Sequence, residues 1–229
     1  NNLQNKMPPR LIIFDKDGTL IDNEAIFVPI IEDMIRNLSK YVDEEKMAKF
    51  IGYDLKKRKF VPDGFIASQP HHISVEKISK KFNIDLEIIE KSYGKIKLTK
   101  KTVVPYVNLR DLFGTLKDQG IKIAINTSDS RENTEKCIKI LGIKKYLDMV
   151  VCGDDGFKTK PSPDTIQHIC SELGVSPYET FMVGDTQADI DAGLRAKCGG
   201  VFLVREDGKF NKFKNYHVHI RDVNQLNYY

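Results

Sequence analysis

Leu11-Ile12-Ile13-Phe14 is a continuous apolar run, too short for a helix and of the kind that fills a strand buried on both faces of a sheet. Similar runs recur after residue 105, at 121–125, 149–152, 181–183 and 201–204, with a weaker one at 216–220. Helical periodicity separates them. One helix is predicted over 130–141, opened by a capping box at Asp129-x-x-Glu132 and stopped by Gly142. Another opens at Ser162-Pro163, with Ser at N-cap and Pro at the first helical position. A short helical start follows at Ser176-Pro177-Tyr178-Glu179, and the stretch 187–196 reads as helix. Strands alternating with helices of this length predict an α/β fold built on a doubly wound parallel sheet.

The stretch from about Asp22 to Thr102 breaks that rhythm. Ile26, Ile30, Ile31, Met34, Ile35 and Leu38 recur at helical spacing, and no strand pattern is evident. Pro62-Asp63-Gly64 and Gln69-Pro70-His71-His72 punctuate the segment. The expected organisation is an α/β core made of residues 1–21 and 104–229, with residues 22–103 inserted as a small helical domain.

Composition narrows the class without changing this outline. At 229 residues, 41% hydrophobic and 30% charged, the chain reads as a soluble globular protein. Its net charge of +4 suits small anionic substrates and gives no argument for nucleic acid, which calls for a clustered basic face. No apolar run reaches membrane-spanning length and no signal peptide is read before the first strand, so no membrane partner is expected. The polar segment Asn1 to Lys6 is set aside from the fold. Cys137, Cys152, Cys170 and Cys198 lack metal-ligand spacing and read as reduced thiols, which points to a cytoplasmic setting. The run Lys56-Lys57-Arg58-Lys59 reads as solvated surface.

The candidate chemistry sits where the strands end. The first strand runs into Asp15-Lys16-Asp17-Gly18-Thr19-Leu20, two carboxylates two residues apart followed by a glycine that frees the backbone to turn. Open α/β sheets carry their sites at the carboxyl ends of strands. Two such carboxylates beside backbone N–H groups suit one Mg²⁺ and one phosphate held together. Chance would supply D-x-D-G-T in a chain this long with odds of roughly one in 500. Thr127 and Ser128 close the second strand, where a hydroxyl and N–H groups at a helix start suit phosphate oxygens; alone they would be an ordinary turn. Lys160 precedes Pro161-Ser162-Pro163-Asp164, and alone would be a surface lysine. Asp185 and Asp189 in Gly184-Asp185-Thr186-Gln187-Ala188-Asp189 share one face of a first helical turn, where an acid also serves the helix dipole.

Taken together and in this order, these residues resemble the four motifs of the haloacid dehalogenase superfamily, and within it the phosphoglycolate phosphatase group. The match runs through Asp15-Lys16-Asp17-Gly18-Thr19-Leu20, Thr127, Lys160 and Asp185 with Asp189, and covers nearly everything from Leu11 to Val204. The resemblance implies a Rossmann-like core and a Mg²⁺-dependent phosphatase acting on a small phosphorylated metabolite. It makes Asp15 the nucleophile that becomes an aspartyl-phosphate, and Asp17 the acid and then base. Thr127 and Lys160 would offset charge on the phosphoryl group, with Gly18 and Ser128 beside it. The metal would be held by Asp15, Asp17 through its backbone carbonyl, Asp185 and, as auxiliary ligand or helix cap, Asp189. An acid at position 17 excludes dehalogenation, because a halide leaves without a proton. The insert falls between the first and second motifs, while only 25 positions separate Lys160 from Asp185, so the helical domain would be a type I cap. His71, His72 and the basic residues near Arg58 are candidates for specificity, although neighbouring histidines are more often surface residues. His217 and His219 read as structural. Lys16 stands where an apolar residue is expected, and its side chain is expected to point into solvent or toward the cap. Asp154-Asp155 would either orient Lys160 or form a turn pair. The rival readings are a phosphomutase on the same core and a non-catalytic interaction module. The sequence leaves the oligomeric state open.

Overall fold

The computed structural model describes residues 8–61, 66, 71–205 and 212–228. The Asn1 to Lys6 segment, the Pro62-Asp63-Gly64 turn and the Gln69-Pro70 pair lie outside them. The chain divides into two compact units, one made of residues up to Asp22 and from Leu98 onward, the other of Asn23–Lys97.

The first unit is a six-stranded sheet in the order β5-β4-β1-β6-β7-β8, formed by β1 (Leu11–Phe14), β4 (Lys122–Asn126), β5 (Met149–Val151), β6 (Thr180–Gly184), β7 (Gly200–Val204) and β8 (Val218–Ile220). Every neighbouring pair is parallel. Strands β1 and β6 are buried at every position, which is why their sequences run apolar without alternation. Helices α5 (Leu109–Asp118), α6 (Arg131–Leu141), α7 (Asp164–Leu173) and α8 (Gln187–Arg195) connect the strands. Ile166, Ile169 and Cys170 of α7 and Ile190 and Ala192 of α8 pack on Leu11, Ile13, Ala124, Met182 and Val201. Phe113 of α5 meets Phe14 with ring centroids 5.3 Å apart. All four cysteines are buried and unpaired.

The second unit holds α1 (Asn23–Asn37), α2 (Glu44–Ile51), α3 (His71–Phe82) and α4 (Leu86–Ser92), with a two-residue hairpin of β2 (Tyr53–Asp54) and β3 (Lys59–Phe60). Met34, Ile35 and Leu38 of α1, Met47 and Ile51 of α2, Val75 and Ile78 of α3 and Ile89 of α4 form its core. Among the described residues no helix is long and apolar enough to cross a membrane.

Several local expectations give way. Helix α6 is capped by Ser130, whose hydroxyl accepts from the Asn133 N–H at 3.3 Å, and not by Asp129. The Asp129 carboxylate instead accepts from the Ser130 N–H and from Lys16. Helix α7 begins one residue later than Ser162-Pro163 suggests. Pro163 occupies the capping position, and Ser162 donates its hydroxyl to the Asp164 carboxylate at 2.7 Å. The inserted stretch does contain strand, the hairpin whose turn exposes the 56–59 basic run. Arg58 in that turn has φ 53° and forms a double hydrogen bond with Glu32, both N···O distances 2.8 Å. Helix α5 has no counterpart among the sequence expectations. The Asn108 cap and buried Leu109, Leu112, Phe113 and Leu116 account for it.

Candidate active site

The site is built on strand ends. Asp15 follows β1 directly, and its N–H continues the sheet by donating to the Val183 carbonyl at 2.8 Å. Beyond it the Lys16 carbonyl accepts the N–H groups of Leu20 and Ile21, at 2.9 and 3.2 Å, which folds the motif back on itself. Gly18 sits in this turn with φ +87°, and a Cβ there would lie 2.3 Å from Asp185 Oδ2. Its N–H donates to the Ile21 carbonyl at 2.9 Å, and its lack of a Cβ gives clearance for Asp185.

Three acids converge. Oxygens of Asp15, Asp185 and Asp189 lie within 4.8 Å of one another, a spacing that could hold a metal ion. Thr19, fully buried, places its hydroxyl 3.3 Å from Asp15 Oδ2 and 3.2 Å from Asp185 Oδ1. Lys160 Nζ reaches Asp15 Oδ1 at 2.5 Å, Asp189 Oδ1 at 2.6 Å and the Asn126 carbonyl at 3.0 Å. Asp189 is also the third residue of a capping box on α8, its Oδ2 accepting from the Thr186 N–H and hydroxyl. One Asp189 oxygen thus caps the helix and the other pairs with Lys160.

The electrostatics follow from burial. Desolvation, then the negative charges of Asp189 and Asp185, hold the Asp15 carboxyl well above its ordinary range although Lys160 pulls the other way. Burial and the Asp189 charge push Asp185 up to about 6. Burial alone would lower the Lys160 ammonium, but Asp15 and Asp189 outweigh it and keep the lysine above its usual value. A buried set of carboxylates raised in this way is short of positive charge. That is the condition a bound divalent cation relieves, and the residues present fit one.

Asp17 stands apart from the acid cluster. Its carboxylate accepts from Lys16 Nζ at 2.7 Å on Oδ1 and lies 3.5 Å from the Thr127 hydroxyl on Oδ2. Its side chain cannot be counted with Asp15, Asp185 and Asp189 as a metal ligand, which leaves only its backbone carbonyl for that purpose. Lys16 overturns its expectation outright. Its side chain is 2% exposed and points inward, bridging Asp17 and Asp129. Ser128 is exposed and joins none of these bonds among the described residues. Asp154 accepts from the Arg131 N–H, and Asp155 pairs with the Arg131 guanidinium, so the pair anchors α6 and leaves Lys160 to other partners. Within the helical unit His71 pairs with the exposed Glu90, and in the first unit His217 Nδ1 accepts from the Val201 N–H and His219 lies 2.8 Å from the Arg205 carbonyl. Sequence reasoning missed Thr19, the Asn126 carbonyl and Asp129. Thr19 lay inside the first motif, and only its contact with Asp185 reveals its part.

A model of the family described as haloacid dehalogenase-like hydrolase matches residues 12–202. A phosphoglycolate phosphatase from Aquifex aeolicus is 30% identical over 190 residues, 82% of this chain and 81% of that protein. A putative pyrophosphatase PpaX from Clostridium perfringens is 30% identical over 191 residues, 82% of this chain and 80% of its own length. Among solved structures, a putative beta-phosphoglucomutase from Thermotoga maritima superposes with a TM-score of 0.68 at 20% identity, covering 96% of both chains.

Proposed function

This chain belongs to the haloacid dehalogenase-like hydrolases, an enzyme of the phosphatase type, and on that premise we propose that it is a Mg²⁺-dependent phosphatase that hydrolyses a small phosphorylated metabolite through an aspartyl-phosphate on Asp15. The observation that carries the reading is the meeting of Asp15, Lys160 and Asp185 across 170 positions of sequence, with the Lys160 ammonium 2.5 Å from the Asp15 carboxylate.

In this reading the Asp15 carboxylate attacks phosphorus, and Lys160 offsets the charge that develops on the phosphoryl oxygens. Asp17, outside the acid cluster and 29% exposed, is the group available to give a proton to the leaving oxygen and to take one from water. Thr127 supports the phosphoryl oxygens from the end of β4. Mg²⁺, held by Asp15, Asp185 and the Asp17 carbonyl with Asp189 behind them, would supply positive charge to the nucleophile and the phosphate. The helical unit of residues 23–97 would act as the cap that excludes water and selects the substrate. Reduced cysteines suit a cytoplasmic enzyme. A non-catalytic module is disfavoured, because nucleophile, lysine and acids are all retained and in contact.

Phosphoglycolate or a sugar phosphate is the substrate class we favour. The likeness to a pyrophosphatase at the same identity keeps a phosphoanhydride as a second reading. Phosphate release from phosphoglycolate, hexose phosphates and pyrophosphate, each with Mg²⁺ and with chelator, tests both, and product analysis on hexose phosphates separates hydrolysis from phosphoryl migration. Asp15→Asn is expected to abolish turnover while leaving the melting curve folded and cooperative. Retained phosphate release by that variant would remove Asp15 from its role.

A further inference from the structure

Lys16 is the least expected residue in the site. A lysine side chain at 2% exposure is rare unless it is paired, and this one is paired twice, with Asp17 Oδ1 at 2.7 Å and Asp129 Oδ2 at 3.0 Å. The circuit continues. The Asp129 N–H donates to the Thr127 hydroxyl at 3.1 Å, and that hydroxyl lies 3.5 Å from Asp17 Oδ2. Asp17, Lys16, Asp129 and Thr127 therefore form a closed ring of polar contacts. The ring is anchored from outside. Asp129 Oδ1 accepts from the Ser130 N–H at 2.7 Å and from Asn133 Nδ2 at 3.1 Å, which ties it to the first turn of α6. The stem of Lys16 is fixed by the turn that its own carbonyl closes.

Among the described residues no side-chain hydrogen bond or ion pair joins this ring to the carboxylates of Asp15, Asp185 and Asp189; Asp17 is its member read as acid and base, and Thr127 its member read as a phosphoryl contact. Two independent supports hold one carboxylate in one orientation, with one oxygen committed to the ammonium and the other left with only a long contact.

We propose that Lys16 and Asp129 are positioning residues that hold the Asp17 carboxylate for the second half of the reaction, the hydrolysis of the aspartyl-phosphate. In that step the water oxygen attacks phosphorus, its proton passes to Asp17, and the bond from phosphorus to the Asp15 oxygen breaks. Inorganic phosphate and a free Asp15 carboxylate result. The inference rests on the aspartyl-phosphate reading above.

An aryl ester separates the two halves, because p-nitrophenolate leaves without needing a proton. In rapid mixing of p-nitrophenyl phosphate with the Mg²⁺-loaded Lys16→Met enzyme, we expect a burst approaching one p-nitrophenolate per enzyme. Its rate should stay within about threefold of the wild type, with a steady state slower by roughly tenfold or more. The phosphoryl group should be recovered on Asp15 by acid quench and mass analysis. Asp129→Asn, whose side chain is partly exposed and whose loss the fold tolerates more readily, should slow the same phase by about threefold and serves should Lys16→Met fail to fold. Equal slowing of both phases, or wild-type phases in both variants, would overturn the positioning role while leaving the aspartyl-phosphate intact. Failure to trap any phosphoryl group on Asp15 in Asp17→Asn, the variant with no base, would overturn the aspartyl-phosphate reading and this inference with it.

Discussion

The Lys160 ammonium serves two carboxylates, and its removal should therefore be felt in two measurements. Asp189 is 1% exposed, and in Lys160→Ala it loses the cation beside it. Breaking a buried pair from one side costs about 3 kcal/mol, which chemical denaturation in chelator would read. The same variant should lose roughly 10²-fold or more in kcat, as the removal of one charge stabiliser usually does. A variant that lost stability and kept its rate would show Lys160 to be a structural cation only. At this scale the sequence revealed residue types and little of their company. Asp15 and Asp185 could be named because each directly follows a strand, and Lys160 because it lies in the loop that leads from β5 into α7. The direction taken by Lys16 could not be read, because its second partner lies 113 positions away on a loop whose path depends on the packing of α6. The inward path is favourable only because two carboxylates wait there to offset the loss of hydration.

At the scale of the element, the strongest signals were the apolar runs. β1, β4, β5, β6 and β7 appear within a residue of their expected ends, since strands buried along most of their length leave a continuous apolar run. Helix starts were less legible, because several side chains in one loop compete for the same N–H groups. Around α6 both Asp129 and Ser130 are good caps. Ser130 takes the cap because Asp129 is drawn toward Lys16. Ser130→Ala should thus destabilise the first unit by about 1 kcal/mol, as seen in urea unfolding, and Asp129 cannot substitute while it holds Lys16. An unchanged midpoint would mean that the cap is supplied from elsewhere. The β2 and β3 hairpin was illegible for a different reason: two residues per strand are too few to show an alternating pattern.

For the molecule as a whole, the acid cluster is expected to make stability depend on pH and on metal together. Asp185 carries a folded pKa of about 6 against an ordinary value of 3.8. A carboxyl raised on folding contributes stability that is complete below its unfolded value and is lost as pH rises through its folded value. Without a cation, ionised Asp185 should therefore weigh against the fold at pH 7.5, by about 3 kcal/mol from the size of the shift. In chelator, Asp185→Asn should melt at a higher temperature than the wild type at pH 7.5, and the advantage should shrink as pH falls from 6 to 4. With Mg²⁺ added the order should reverse. The wild type gains stability with the logarithm of Mg²⁺ concentration once above its dissociation constant, whereas the variant has lost a ligand and gains less. A wild-type melting temperature indifferent to both Mg²⁺ and chelator would mean that the three acids do not form a cation site, however close their oxygens lie. The fold tolerates the repulsion among them because the Lys160 ammonium lies 2.5 Å from Asp15 and 2.6 Å from Asp189 and offsets part of it.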